Sequence, residues 1–322
     1  MKFFNIDSHV SVIADLKNIF AYLGHTVDFW SLSGHRWVFE IPPCPSPVIT
    51  QLNWRDLNEE MVDRFFTTHY RDLEEYDGFI CTNLAIFLKL FERFGKPIIV
   101  VSSTRYDYPV IDDPERRAWL EDSLNHNPNL ILTANNEFDK RYCEKFLKRK
   151  WQHIPSLCLY TNEKYQPTIE KSVVFSKFPM KCNLDCDHQS QLGRYTWKHL
   201  YSYRNIIHFP YNVSTMSLFE QSSAGVQILV PTLRFCLELL GQGSPLFSEI
   251  TFANFDRQRS RGQFLTDDWL RSADFYNGTI NVHCFDSMRE LETKAHSAGP
   301  MLSTDNKDKV YESWKKILKQ LQ

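Results

Sequence analysis

The amino-acid sequence predicts an α/β protein built from two doubly wound, parallel-sheet domains. Three observations carry that reading. The 322 residues suffice for two domains of roughly 150 residues each. Short runs rich in Val, Ile and Phe alternate with amphipathic stretches from end to end, the pattern of successive βαβ units. Residues 161–172 (TNEKYQPTIEKS) break the alternation with a polar, aperiodic stretch around Pro167, which places the boundary there. The N-terminal domain is then expected over 1–165 and the C-terminal domain over 166–322.

The elements follow in order. FFNI near residues 3–6 reads as a buried strand and Asp7 and Ser8 as helix-start residues. Val12, Ile13, Leu16, Ile19, Phe20 and Leu23 then recur at helical spacing until Gly24 stops the pattern. TVDFWSLS is the next strand. GFICT, a helical stretch LAIFLKLFERF, the breaker Gly95 and the strand PIIVVSS form a further unit, followed by the loop TRYDYP. LILTA, a helix near 136–149 and a strand SLCLY complete the first domain. The second begins with SVVFS and continues through a helix around GRYTWKHLYSY, the strand IIHFPY and the segment NVSTMSLFEQSSAG. VQILVP, a helix around LRFCLELL, a strand INVHCF and two helices, the last near 307–321, close the chain. Two such domains leave a cleft between them, lined by the loops at the carboxyl ends of both sheets.

Composition narrows the function. Lys plus Arg number 37 against 39 Asp plus Glu, a net charge of −2, too balanced for a protein that coats nucleic acid or anionic membrane. No window reaches the ~18 apolar residues of a bilayer span, and Asp7 precedes any signal-peptide core, so a cytoplasmic location is expected. The eight cysteines stand isolated among apolar neighbours, as reduced thiols do. With only 11 glycines, the chain has neither a P-loop nor a G-x-G-x-x-G string, which disfavours nucleoside triphosphatases and nicotinamide enzymes. The basic stretch Lys140 to Lys150 fits the wet face of a helix.

The most informative segment runs from His208 to Glu220 (HFPYNVSTMSLFE). A strand ends in a polar loop, and a helix is expected to begin at Ser214 or Ser217. Its unpaired N–H groups would receive a diphosphate, while the Glu220 carboxylate, one turn in, would accept both hydroxyls of a ribose. The competing reading makes Ser217 and Glu220 a capping box. Lys177, just past SVVFS, is placed to neutralise the diphosphate or is simply solvated. Tyr211 stacks on a base or packs, and His208 contacts the ligand or is a satisfied histidine at a strand end. In the first domain Asp7 is the first candidate for a general base and His9 the second; the alternative for Asp7 is a helix cap. Ser33 and His35 after the second strand, and Arg105 and Asp107 after PIIVVSS, would hold acceptor hydroxyls or are surface turns. Asp185 and Asp187 form an Asp-x-Asp string whose oxygens suit Mn²⁺ or Mg²⁺. Cys182, Cys186 and His188 lack a fourth zinc ligand at suitable spacing.

The segment carrying Ser214, Ser217, Glu220, Ala224, Gly225 and Pro231 resembles the donor-binding segment of GT-B glycosyltransferases. With FFNIDSHVSVIADL, LGHTVDFWSLSGHRW and PYNVSTMSLFE, the chain looks like the small GT-B enzymes of large algal DNA viruses and scattered microbes. Gln227 stands where many relatives of that fold carry Pro. The resemblance implies two facing Rossmann-like domains, with the last helix packing back on the first. It implies transfer of a sugar from a UDP- or GDP-linked donor to a glycan hydroxyl, with no metal or other cofactor. Lys177, His208, Tyr211, Ser214, Met216, Ser217 and Glu220 would hold the donor; Ser33, His35, Arg105 and Asp107 would hold the acceptor. Inversion follows if Asp7 or His9 is the base. Two alternatives stand beside it: a non-catalytic nucleotide- or glycan-binding module of the same fold, and a metal-dependent transferase using Asp185 and Asp187.

Overall fold

The computed structural model describes residues 1–177, 184–248, 263–297 and 306–321. The chain forms two compact units, Met1–Ser156 together with Lys307–Gln322, and Leu157–Asn306.

The first unit is a six-stranded sheet. In chain order its elements are β1 (Lys2–Asp7), α1 (Val10–Tyr22), β2 (Thr26–Ser31), α2 (Glu59–Leu73), β3 (Gly78–Thr82), β4 (Ile98–Ser102), α3 (Pro114–His126), β5 (Leu130–Ala134), α4 (Glu137–Phe146) and β6 (Gln152–His153). The strands lie in the order β2-β1-β3-β4-β5-β6, every pair parallel. Every residue of β3 and β4 is buried, as expected of parallel strands covered on both faces. The order reverses at β1, with β2 on one side and β3 on the other, so the topological switch point lies between β1 and β3. Helix starts follow local chemistry. The Asn58 side chain caps α2 ahead of Glu59 and Glu60, Asp113 caps α3 with Pro114 in its first turn, and Asn136 caps α4. The C-terminal helix Lys307–Lys319 also belongs to this unit. Trp314 is buried edge-on to Phe20 at 5.4 Å between ring centres, and Tyr311 stacks on Tyr22 at 4.1 Å.

The second unit contains β7 (Ile169–Phe175), β8 (Cys186–His188), α5 (Trp197–Leu200), β9 (Tyr203–His208), α6 (Met216–Ala224), β10 (Ile228–Pro231), α7 (Leu233–Gly241), α8 (Asp267–Leu270), β11 (His283–Phe285) and α9 (Met288–Ala295). Its sheet order is β11-β10-β9-β7-β8, again parallel throughout. The first strand, β7, sits between β8 and β9. The reversal of the first unit therefore recurs, without any internal sequence repeat.

Several elements differ from the sequence reading. β1 runs through Asp7, and α1 starts at Val10 with His9 at its N-cap. LAIFLKLFERF forms two 3-10 segments, Ala85–Leu90 and Glu92–Phe94, in place of one amphipathic helix. All of Ala85–Leu90 is buried, so no wet face exists, and the left-handed residues Asn83 and Gly95 bracket the stretch. SLCLY is not a strand, because Cys158 has φ 52° and turns the chain into the 3-10 segment Leu159–Thr161; Gln152–His153 takes the edge position. The helix expected around GRYTWKHLYSY shrinks to one turn. Residues 157–165 already belong to the second unit. Tyr165 N–H donates to Ala224 C=O at 3.0 Å and the Ser223 hydroxyl to Cys158 C=O at 3.1 Å, so the division falls between Ser156 and Leu157 rather than at 165. Among the described residues the cysteines are free thiols; Cys182 lies outside them. Among those residues, too, no helix is long and apolar enough to cross a membrane.

Trp314→Ala should destabilise the protein by about 3–5 kcal/mol, the usual range for emptying a buried aromatic site, as read by urea unfolding. A loss under ~1 kcal/mol would show that the C-terminal helix contributes little to the first unit.

Candidate active site

Asp7 ends β1 at the switch point of the first unit. Strand register sets it opposite Ser31, the last residue of β2, and both side chains are buried. The Ser31 hydroxyl donates to Asp7 Oδ1 at 3.1 Å and itself accepts the Ser33 N–H at 3.2 Å. Asp7 Oδ2 is buried with no hydrogen-bond partner among the described residues. Burial pushes the carboxyl up to about 7, against the opposing pull of Ser31 and of the His9 backbone N–H, both of which favour the ionised form. A carboxyl poised near neutrality with one open oxygen can take and return a proton at physiological pH. The Cys44 thiol lies close enough to feel the Asp7 charge, and burial raises it as well. Across the switch point, Asn83 in left-handed conformation donates to the Ser8 hydroxyl at 2.9 Å and accepts from Ser103 at 3.0 Å. These three half-buried polar groups end β1, β3 and β4; Asn83 and Ser103 were not among the expected site residues.

The remaining candidates of this unit divide. His9 is exposed at the N-cap of α1, and its side chain makes no cap bond. Ser33 is buried and accepts the His35 N–H at 3.1 Å, leaving the His35 ring exposed. Arg105 and Asp107, expected on an open loop, are interior. Arg105 pairs with the buried Asp139 of α4 at 3.2 Å, and Asp107 accepts from the Tyr142 hydroxyl at 2.9 Å. An arginine so far from water must have such a partner.

In the second unit α6 begins at Met216, with Thr215 at the N-cap. Ser217 therefore lies inside the first turn and Glu220 in the second, which removes the capping-box reading. The Ser217 hydroxyl instead turns to Thr215 Oγ1 at 3.3 Å. Glu220 accepts from the Tyr160 hydroxyl and from Trp197 Nε1–H at 3.3 Å, partners far away in sequence that sequence reasoning missed. Ser214 and Met216 are mostly buried, and the Met216 carbonyl faces the Cys158 thiol at 3.9 Å. His208 ends β9 fully buried. Its Nε2 meets Gln221 Oε1 at 2.6 Å, and its ring packs against Phe175 and Phe275. Burial lowers it to about 4, so it is a neutral, packed histidine, as the second of the two sequence readings held. Lys177, exposed just beyond β7, holds its ammonium 5.0 Å from the Tyr211 ring centre in the loop after β9. The two lie at the carboxyl ends of the strands that flank this unit's own switch point.

The Asp-x-Asp string lies elsewhere, at the amino end of edge strand β8. Lys171 pairs with Asp185 at 3.0 Å and Asp187 at 3.5 Å, and the Tyr203 hydroxyl donates to Asp187 at 2.8 Å. No cluster of three metal-ligating side chains occurs among the described residues.

No protein-family model matches the chain, and no curated protein matches it. Among solved structures it is similar to the glycotransferase of kitacinnamycin, at 12% identity over 99% of this chain and 94% of that one, with a TM-score of 0.46. It is similar to the spinosyn forosaminyltransferase SpnP at 12% identity over 100% and 99%, with a TM-score of 0.44. A Staphylococcus aureus protein, MnaA, solved with UDP, gives 14% identity over 85% and 92%, with a TM-score of 0.42.

Asp7 makes stability depend on pH. Its carboxyl is raised, so the folded chain keeps a proton that the unfolded chain has already lost between about 4 and about 7. Stability contributed by this group falls as pH rises through that window. Asp7→Asn should therefore match the parent near pH 4 and exceed it above pH 7 by roughly 4 kcal/mol, at ~1.4 kcal/mol per pKa unit. Urea unfolding at pH 4, 6 and 8 measures the difference, and a pH-independent gap would contradict the buried titration.

Proposed function

We propose that this chain is a glycosyltransferase that moves a sugar from a nucleoside-diphosphate sugar to a hydroxyl of a glycan acceptor, with Asp7 as general base. One observation carries the reading: a fully buried carboxyl at a topological switch point, with one oxygen unpaired among the described residues, which burial pushes up toward neutrality. Asp7 Oδ2 takes the acceptor hydroxyl's proton as that oxygen bonds to the anomeric carbon. The bond from that carbon to the diphosphate oxygen breaks, and the nucleoside diphosphate leaves with its electrons. Attack opposite the leaving group inverts the configuration.

The second unit supplies the donor side of this reading. The α6 N-terminus and the Lys177 ammonium meet the diphosphate charge, and Tyr211 gives the base a ring face. The Glu220 carboxylate, oriented by Tyr160 and Trp197, would accept the ribose hydroxyls. The resemblance of the segment around Ser214 to Glu220 to a GT-B donor site supports the same assignment. Metal independence is part of the proposal, and the pairing of Lys171 with Asp185 and Asp187 supports it.

A panel of UDP- and GDP-linked sugars, scored for binding and turnover, tests the whole. Asp7→Asn should lower turnover about 10²–10⁴-fold, the range for losing a general base, while donor affinity holds. Glu220→Ala should weaken donor binding at least ~10-fold, as loss of hydrogen bonds to a charged group does, and EDTA should leave turnover intact. Binding without turnover in the parent would instead mark a non-catalytic module, and full turnover by Asp7→Asn would remove Asp7 as the base.

A further inference from the structure

We infer that Ser31 is a positioning residue for Asp7: its hydroxyl engages Oδ1 and so leaves Oδ2 as the oxygen that takes the acceptor's proton. This rests on the proposed role of Asp7 as base. The contact is directional. A serine hydroxyl has one proton to give. The Ser33 N–H already occupies a lone pair of Ser31 Oγ at 3.2 Å, and the hydroxyl proton goes to Asp7 Oδ1 at 3.1 Å. The backbone holds the pair in place, because Asp7 and Ser31 are register partners in the β1·β2 ladder and Leu32 N–H donates to Asp7 C=O at 2.9 Å. Neither side chain reaches solvent. The relay Ser33 N–H to Ser31 Oγ to Asp7 Oδ1 therefore fixes the carboxylate plane and differentiates its two oxygens.

The groups facing Asp7 leave this task to Ser31. From the β1–α1 loop, the His9 backbone N–H also favours the ionised carboxyl, as a main-chain group that side-chain substitution leaves in place. From the segment before α2 comes the Cys44 thiol, a neutral group that donates to Ile49 C=O at 3.7 Å and whose thiolate would be disfavoured by the Asp7 charge. β2 contributes Ser31 itself, and the register partner of Ile6 on β3 is the buried Cys81 thiol. A hydrogen bond to a carboxylate favours its ionised form, so Ser31 also sets the pH at which Asp7 becomes a base.

Ser31→Ala and Ser31→Thr test this by two readouts in the full-length protein. The first is the ¹³C titration of the Asp7 carboxyl, assigned by its disappearance in Asp7→Asn. The second is the pH profile of sugar release from UDP-glucose and GDP-mannose with water as acceptor. In Ser31→Ala the titration midpoint and the acidic limb of the rate should rise together by about one pH unit. Turnover should fall roughly tenfold at pH 6 and recover by pH 9, with KM for the donor unchanged. Ser31→Thr keeps the hydroxyl and should restore both. A midpoint unmoved in Ser31→Ala overturns the inference whether or not either donor is turned over. A uniform loss of rate at every pH overturns it as well, reducing Ser31 to a packing residue. Full turnover by Asp7→Asn would sink the base reading instead, and the carboxyl titration would still judge the Ser31 contact by itself.

Discussion

A parallel sheet covered on both faces has no wet surface of its own, so its polar chemistry must collect where the strands stop. In this chain β3 and β4 are buried from first residue to last. The polar side chains gather at and just past the carboxyl ends: Asp7 and Ser31 as last strand residues, then Asn83, Ser103 and the Asn135–Asn136 pair. Both units add the same reversal of strand order at their first strand. Each reversal parts the following loops and leaves a crevice beside the first strand. The positions of Asp7 in one unit and of Lys177 and Tyr211 in the other follow from that geometry.

Burial alone does not separate site from scaffold; the state of the partners does. Three buried ionisable groups make the contrast. Arg105 is matched by the Asp139 carboxylate, so its charge is spent within the core. His208 is driven to its neutral form and shares its proton with Gln221, which suits a packed ring and leaves nothing for a substrate. Asp7 has one oxygen satisfied and one not. An acid in that condition is costly to keep, and the fold holds it at the end of a strand whose residues Phe3, Phe4 and Ile6 are buried and apolar.

Much of this architecture is legible in the sequence, and what is not has identifiable causes. The strands read well because FFNI, GFICT and PIIVVSS are uninterrupted apolar runs. The buried 3-10 stretch Ala85–Leu90 imitates a helix because a run that is apolar but for Lys89 has no clear period to betray it. Two helices, α2 and α3, escaped the periodicity reading although Asn58-Glu-Glu and Asp113-Pro114 announce their starts; cap chemistry was the signal to use. Asp7 was legible as a base candidate from its place after a strand. Its partner Ser31 was not, because register between β1 and β2 is a tertiary fact. The same holds for Glu220, whose hydrogen-bond donors Tyr160 and Trp197 come from segments that no local pattern connects to α6. Two residues of error at the N-cap of α6, Ser217 for Thr215, were enough to suggest a capping box where none forms.

The return of the C-terminal helix to the first unit has a consequence for how the molecule is made. Phe20 and Tyr22, near the start of the chain, find their aromatic neighbours Trp314 and Tyr311 only near its end. During synthesis the residues of the second unit emerge before Lys307–Lys319, which pack on the first. Until residues 307–319 have been made, Phe20 has Phe3 and His25 beside it but not Trp314.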